Sequence, residues 1–279
     1  MGCASSRASV DGTFEPSFLA SKLAVKQKTD FKALPIDPVK SPAKILVVCT
    51  DDGKFKMING KFFSSGNHPV ETFVPLLHFK AAGFSFEFAT VSAGPVVFEM
   101  WAFPTKDEAV TALHKELNHL YQVPKKLEDV DASLAGYAGI FIPGGHGAMV
   151  NLPESVALGK LLHAAHAAEI PTISLCHGPA ALLAAAKVEG AEFPYKGYKM
   201  VSFSDGTDKM GQKIGYIPGA MPWLMQEALK AQGAEVTNKS EKGEVLVDRE
   251  LITGDSPAAA NKLGQVAAPI LVASWSKRG

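Results

Sequence analysis

The sequence is short of the features that mark a specialised environment. Its 279 residues include only three cysteines, too few for a disulfide-scaffolded secreted fold. Neither charge sign is in excess, since 28 Lys and Arg face 28 Asp and Glu. That balance gives no footprint for sequence-specific nucleic-acid binding and leaves no charged tail. There is no run of about 18 apolar residues of the kind that spans a bilayer. The N-terminus has no apolar signal-peptide core, and no repeat or low-complexity tract interrupts the chain. A cytoplasmic, reducing location follows as the expectation. One pattern cuts across it: Met1-Gly2-Cys3-Ala4-Ser5-Ser6 fits N-myristoylation at Gly2, with Cys3 placed for a second acyl chain. Two chains anchor stably where one does not; the alternative is a chance match to a short pattern.

What is present is a core. At 47% hydrophobic and 20% charged the composition is that of a globular chain. The length equals roughly two domain-equivalents, which one α/β domain can fill. Residues 1–42, rich in Ser, Lys and Pro, show no sustained period and read as an irregular N-terminal arm. From residue 43 to 279 short apolar runs alternate with helical patterns. Strands are expected at Lys44 to Cys49, Phe84 to Val91, Tyr137 to Ile142, Pro171 to Cys176 and Glu250 to Thr253. Helices are expected from a cap at Asn67 to Gly83, and over Glu154 to Ala168, Gly178 to Lys187, Pro222 to Ala231 and Ser256 to Ser274. Such alternation predicts a parallel sheet sandwiched by helices. Residues 92–131 break the rhythm with Pro95, Trp101, Pro104 and a charged helix from Lys106 to Tyr121, and read as an inserted cap.

Ligands of open parallel sheets bind at the carboxyl ends of the strands, and two segments fall there. Pro143-Gly144-Gly145-His146-Gly147 follows a strand, and its glycines allow backbone N–H groups to converge on one point; the spacing and Lys of a phosphate loop are missing. Leu175-Cys176-His177-Gly178-Pro179-Ala180 places Cys176 where an apolar strand meets an Ala/Leu-rich helix, an arrangement like the nucleophile elbow. A helix N-terminus and a neighbouring His favour thiolate, the reactive form. Cys49 has acidic neighbours instead, and Cys3 lies in the arm. Carboxylates available to orient His177 are Asp205 and Asp208, in a loop after the strand-like Met200 to Phe203, and Glu71, in a first helical turn. His163 and His166 share a helical face but lack a carboxylate to complete a metal set. His114 and His119 read as solvated.

These motifs, with Thr253-Gly254-Asp255-Ser256-Pro257, resemble the ThiJ/PfpI superfamily. Gly66-Asn67-His68-Pro69-Val70-Glu71 and Trp101-Ala102-Phe103-Pro104 narrow the resemblance to its heat-shock chaperone branch, also described as glyoxalase III or protein deglycase. The likeness runs from about Lys44 to the C-terminus with the motif order intact. It implies a flavodoxin-like (class I glutamine amidotransferase-like) α/β sandwich with a small extra lobe, in a homodimer. It also implies Cys176 as nucleophile, His177 as its partner, Asp208 as the orienting acid and Glu71 beside the sulfur. Asp208 fits the family's Phe-x-Asp-x-x-Asp spacing from Phe203 better than Asp205 does. Members of the branch often carry a metal on two His and one Glu. Lys80, Ser85 and Leu117 stand at those positions here, with His78 and His114 near but not in place, so no metal and no other cofactor is expected.

The implied activity is a glutathione-independent glyoxalase, a D-lactate dehydratase. It would act on methylglyoxal and glyoxal through a Cys176 hemithioacetal, with backbone N–H groups at Gly145 and His177 holding the oxyanion. The same chemistry extends to early glycation adducts of proteins and nucleotides. The alternatives are a holdase chaperone for unfolded proteins, marked by exposed apolar surface near the cap, and a redox sensor in which Cys176 is oxidised. A cysteine peptidase or amidotransferase uses similar parts, but a partner domain for the latter is lacking.

Overall fold

In the computed structural model, which describes residues 5–9 and 11–278, the apolar runs pair into one sheet of seven strands. In chain order these are β1 (Lys44–Val48), β2 (Ser85–Thr90), β3 (Lys125–Lys126), β4 (Tyr137–Ile142), β5 (Thr172–Leu175), β6 (Val245–Asp248) and β7 (Leu251–Gly254). Their spatial order is β6-β7-β5-β4-β1-β2-β3, parallel throughout except for the β6–β7 hairpin. The chain leaves β1 toward β2 and β3, then returns to the other side of β1 through β4. Two neighbouring strands whose connections run in opposite directions open a crevice at their carboxyl ends, and the glycine-rich turn after β4 lies there.

Both faces of the sheet are covered, which is why its strands read as continuous apolar runs rather than alternating ones. In β1, Ile45 and Val47 join the core that includes Phe73, Phe79, Leu263 and Leu271, from helices Pro69–Ala81 and Ala260–Arg278. Leu46 and Val48 face the other way, into the core with Leu158, Leu161 and Leu182 from Val156–Ala167 and Gly178–Lys187. Each such side chain, fully buried, contributes about 1.5–3 kcal/mol. Two cores of this size make disulfides unnecessary.

Several boundaries differ from the sequence reading, for local reasons. Asn67 does not cap the first helix: its amide is committed to Thr50 and Val97. The cap position falls to His68, and Pro69 opens the helix, where its missing N–H costs nothing. Ser155 caps Val156–Ala167 with its hydroxyl. Gly178–Lys187 winds as a 3₁₀ helix, and the final helix starts at Ala260 after a 3₁₀ turn at Pro257–Ala259. Residues 204–208, read as a loop, begin the helix Asp205–Gly211, capped by Ser204.

The N-terminal arm holds more order than its composition suggests. Ser17 caps a short helix, Phe18–Ala24. Phe14–Glu15 pairs with Arg7–Ala8 and also with Phe62–Ser64, one strand of an unanticipated hairpin whose other strand is Lys54–Lys56. Beyond the helix, Thr29 bonds Asp107 and Lys32 bonds Asn261, tying the arm to the 92–131 segment and to the last helix. That segment forms helices Glu108–Glu116 and Asn118–Tyr121 and ends in the edge strand β3. Gly2 and Cys3 lie outside the described residues. Among the described residues, no helix is long and apolar enough to cross a membrane.

Candidate active site

Cys176 is the residue after β5, and it has φ +57°. A side chain in this left-handed region is strained by about 1–2 kcal/mol. The strain is sustained by bonds on both sides: the Cys176 N–H donates to Gly254 O at 2.8 Å, and its carbonyl accepts from Phe203 N at 2.9 Å. The kink turns the chain off the sheet and into the 178–187 helix. Gly178 is required at this bend, because a Cβ there would meet Ser174 Oγ at 2.4 Å and Ile142 O at 2.6 Å.

The kink brings the thiol against an imidazole. Cys176 Sγ lies 3.4 Å from His177 Nδ1, and His177 Nε2 lies 3.0 and 3.2 Å from the two oxygens of Asp208. A carboxylate only accepts, so His177 carries a proton on Nε2 and turns a lone pair on Nδ1 toward the sulfur. Burial would raise the Asp208 carboxyl. The electrostatic attraction of the His177 and His146 rings and the hydrogen bonds they donate outweigh that and hold it below the usual carboxylate range.

Glu71 reaches the same point from the first turn of Pro69–Ala81. It is fully buried, and both its oxygens lack a hydrogen-bond partner among the described residues. Burial pushes its carboxyl well above the ordinary range, and the nearby charges of Glu99 and Asp255 push the same way, against a contact with Cys176. Burial thus favours the protonated, uncharged form of Glu71. Burial also pushes the Cys176 thiol well up, reinforced by Glu71, Glu99 and Asp208. The resting thiolate expected from the helix N-terminus and adjacent His is thus overridden by desolvation. Burial favours the thiol, and His177 Nδ1 lies within reach of its proton.

The glycines of the β4 turn make room for this packing. A Cβ on Gly144 would sit 2.2 Å from Glu71 Oε2, and one on Gly145, at φ +100°, 2.3 Å from Gly66 O. Among the described backbone contacts the N–H groups of Gly145 and His177 have no backbone acceptor. His68, whose N–H donates to Gly144 O, is held neutral by burial, its pKa lowered to about 3. It lines a cavity of about 220 Å³ with Val70, Ala102, Ser256 and the arm residues Lys26 and Asp30.

The remaining candidates separate clearly. Asp205, the rival acid, accepts the N–H groups of Gln226 and Glu227 and so caps the helix Met225–Ala231. His163 bonds Ala185 O, and His166 pairs with Glu250 and Tyr198, so they do not converge on a metal. His114 is not solvated: it bonds Tyr121 and packs among Phe73, Phe98 and Phe103. His119 is exposed. Lys80 pairs with Glu116, Ser85 bonds Ala43 O, Leu117 is buried and His78 bonds Asn261. These side chains do not fit the metal set the resemblance associates with them. Asp255, in the Thr253–Pro257 motif, accepts from Lys242, Gly243 and Glu244 and fixes a loop.

Two participants were not singled out in the sequence. His146 stood inside a quoted motif, valued there only for its glycines; its Nε2 lies 3.1 Å from Asp208 Oδ1. Glu99 had no signal beyond its place before Trp101. It accepts from the His146 N–H and from Ser65, and burial lifts its carboxyl to about 7. His146, His177 and Asp208 also offer three ligand atoms within 4.8 Å of one another, the compactness of a hydrogen-bonded network.

A family model described as DJ-1/PfpI matches residues 62–214, which take in Glu71, Gly145, Cys176, His177 and Asp208. The chain belongs to the DJ-1/PfpI family. A curated relative, the "Protein/nucleic acid deglycase HchA" of Escherichia coli O157:H7, is 46% identical over 242 residues, covering 86% of this chain and 84% of its own. Two solved structures share the fold at lower identity. One is glyoxalase III from Candida albicans (TM-score 0.65, 20% identity, 81% of this chain and 97% of its own). The other is the Rapid Encystment Protein of Francisella tularensis (TM-score 0.69, 18% identity, 82% and 99%). Family and structural neighbours agree with the α/β sandwich read from the strand–helix alternation.

Proposed function

We propose that this protein is a glutathione-independent glyoxalase that converts methylglyoxal to D-lactate on Cys176, and that the same chemistry removes early glycation adducts. The reading rests chiefly on one juxtaposition: a kinked cysteine with a histidine base 3.4 Å away and a neutral buried carboxylic acid beside it. Proton transfer from Cys176 to His177 Nδ1 releases the thiolate, which attacks the aldehyde carbon. The Gly145 and His177 N–H groups receive the oxyanion, at about 2.7–4 kcal/mol per donor. His177 returns its proton to that oxygen, completing the hemithioacetal.

His177 then takes the hydrogen on the former aldehyde carbon while Glu71 protonates the ketone oxygen, giving an enediol. The imidazolium delivers its proton to the second carbon and Glu71 recovers one from the first hydroxyl. A thioester results, which water cleaves to lactate and free thiol. Atoms and charge balance with no cofactor. The test is lactate formation without glutathione by wild type and Cys176→Ala side by side: turnover confined to the wild type is the expected result, and equal turnover in the variant overturns the mechanism.

A second reading, a holdase chaperone, draws on the exposed apolar residues Phe18, Leu19 and Met100, which lie on the arm and the 92–131 segment. It is tested by suppression of client aggregation by Cys176→Ala, since a surface effect survives loss of the thiol. Our proposal further treats residues 1–42 as an arm, 43–279 as the α/β domain with 92–131 as its cap, and the working unit as a homodimer. Size-exclusion chromatography with light scattering checks the last point.

A further inference from the structure

We propose that His146 is a positioning residue for this reaction, holding Asp208 and the plane of His177 so that the Nδ1 lone pair faces Cys176. The inference rests on the Cys176–His177 reading above. Asp208 serves two imidazoles, not one. Its Oδ1 lies 3.1 Å from His146 Nε2 and 3.2 Å from His177 Nε2, and Oδ2 completes the pair with His177 at 3.0 Å. Because the carboxylate can only accept, both histidines carry their proton on Nε2.

The ring of His177 also packs against two others. His146 lies against it at a centroid distance of 3.9 Å and Phe203 at 4.6 Å, tilted by 34° and 32°. His146 is itself fixed from behind. Its N–H donates to Glu99, which also accepts from Ser65, and its ring meets Phe63 edge-on at 5.4 Å. The groups facing it are Asp208, His177, Glu99 and His68. A network satisfied at this depth selects one arrangement, because any rotation of Asp208 orphans a buried donor.

The two contributions, ring packing and the shared carboxylate, are separable. His146→Phe keeps a ring against His177 but removes the donor to Asp208; His146→Gln keeps a donor of similar reach. For methylglyoxal turnover, His146→Phe is expected to lower kcat about tenfold with KM unchanged, in the range of supporting residues behind a reactive group, and His146→Gln to stay within about threefold of wild type. Equal impairment of the two variants, an unaffected His146→Phe, or a change confined to KM overturns the proposal. Alkylation of Cys176 by iodoacetamide does not depend on the aldehyde substrate, and its rate should order the proteins in the same way. It therefore separates failure of this inference from failure of the glyoxalase reading. Should neither variant fold, ring ¹⁵N shifts of the wild type decide: both histidines protonated on Nε2 is expected, and His146 protonated only on Nδ1 refutes it.

Discussion

Cys49 and Cys176 follow parallel strands of the same sheet, both are buried free thiols, and burial pushes both thiols well up. By burial, and by the direction in which burial moves their thiols, they are near twins. They differ in backbone and in neighbours. Cys176 has a positive φ, a histidine at 3.4 Å and a carboxylic acid alongside. Cys49 continues the line of β1, its N–H donating to Ala89 O and its side chain in the core. On the proposed reading, what marks Cys176 as the nucleophile is therefore not burial but a strained kink with a base in reach.

The comparison breaks most directly by exchanging sulfur for hydrogen at each place. Cys176→Ala should lower turnover by about 10⁴-fold or more, the scale of losing a nucleophile, with little change in melting temperature. Cys49→Ala should do the reverse, keeping turnover within twofold while costing on the order of 1 kcal/mol by thermal or urea unfolding. Activity lost equally in both would remove the distinction.

The two aspartates of residues 205–211 sharpen it at the next level. Asp208→Asn presents an amide to His177 and allows the wrong tautomer, so kcat should fall about 10³–10⁴-fold. Asp205→Asn should leave kcat within a few-fold and weaken the cap of Met225–Ala231, costing about 1 kcal/mol. Glu71→Gln keeps a neutral side chain beside the sulfur but cannot exchange protons, and a loss of about 10²–10⁴-fold in kcat is expected. Iodoacetamide reactivity of Cys176 in that variant should stay near wild type, since burial already favours the uncharged form of Glu71.

The site also leaves a signature in stability against pH. Glu99 is raised from an ordinary 4.5 to about 7 by burial, so the folded chain binds a proton the unfolded chain has released. Its contribution is complete below about 4.5 and is lost as pH rises through about 7. Removing the ionisation with Glu99→Gln should therefore raise the melting temperature relative to wild type by a few degrees at pH 8, and by less at pH 5. His68 has the opposite sign. Lowered to about 3, it favours the fold above its ordinary 6.5, and that contribution fades as pH falls toward 3. A Glu99→Gln difference that is flat across this interval refutes the buried neutral acid.

Much of this is legible in the sequence, and for a physical reason. Strands buried on both faces leave unbroken apolar runs, so β1, β4 and β5 could be placed within a residue. The elbow, too, is a local event: strand, cysteine, glycine and helix are contiguous. The hairpin at Lys54–Lys56 and Phe62–Ser64 was not read, because its strands are three residues long and one of them owes its other partner to the distant arm. Asp205 and Asp208 could not be separated by their surroundings, since the difference lies in what approaches from residues 226–227 on one side and from His177 on the other. His146 and Glu99 were hidden for the same reason. Their roles are defined by contacts 62 and 47 residues away in sequence.

The smallest expected effect concerns the positions where the resemblance associates a metal. Lys80 pairs with Glu116 on the surface, both side chains about half exposed, and such pairs are worth about 0–1 kcal/mol. Lys80→Ala should change stability by no more than that and leave turnover untouched, with or without a chelator in the assay. The pairing also sets a condition on any attempt to graft metal ligands here. Lys80→His alone leaves Glu116 without its cation and supplies only one imidazole, with Ser85 and the buried Leu117 unchanged, so zinc affinity by calorimetry should remain undetectable until all three positions are changed together. Tight binding by the single variant would mean that His78 and His114 can move into place, which their bonds to Asn261 and Tyr121 argue against.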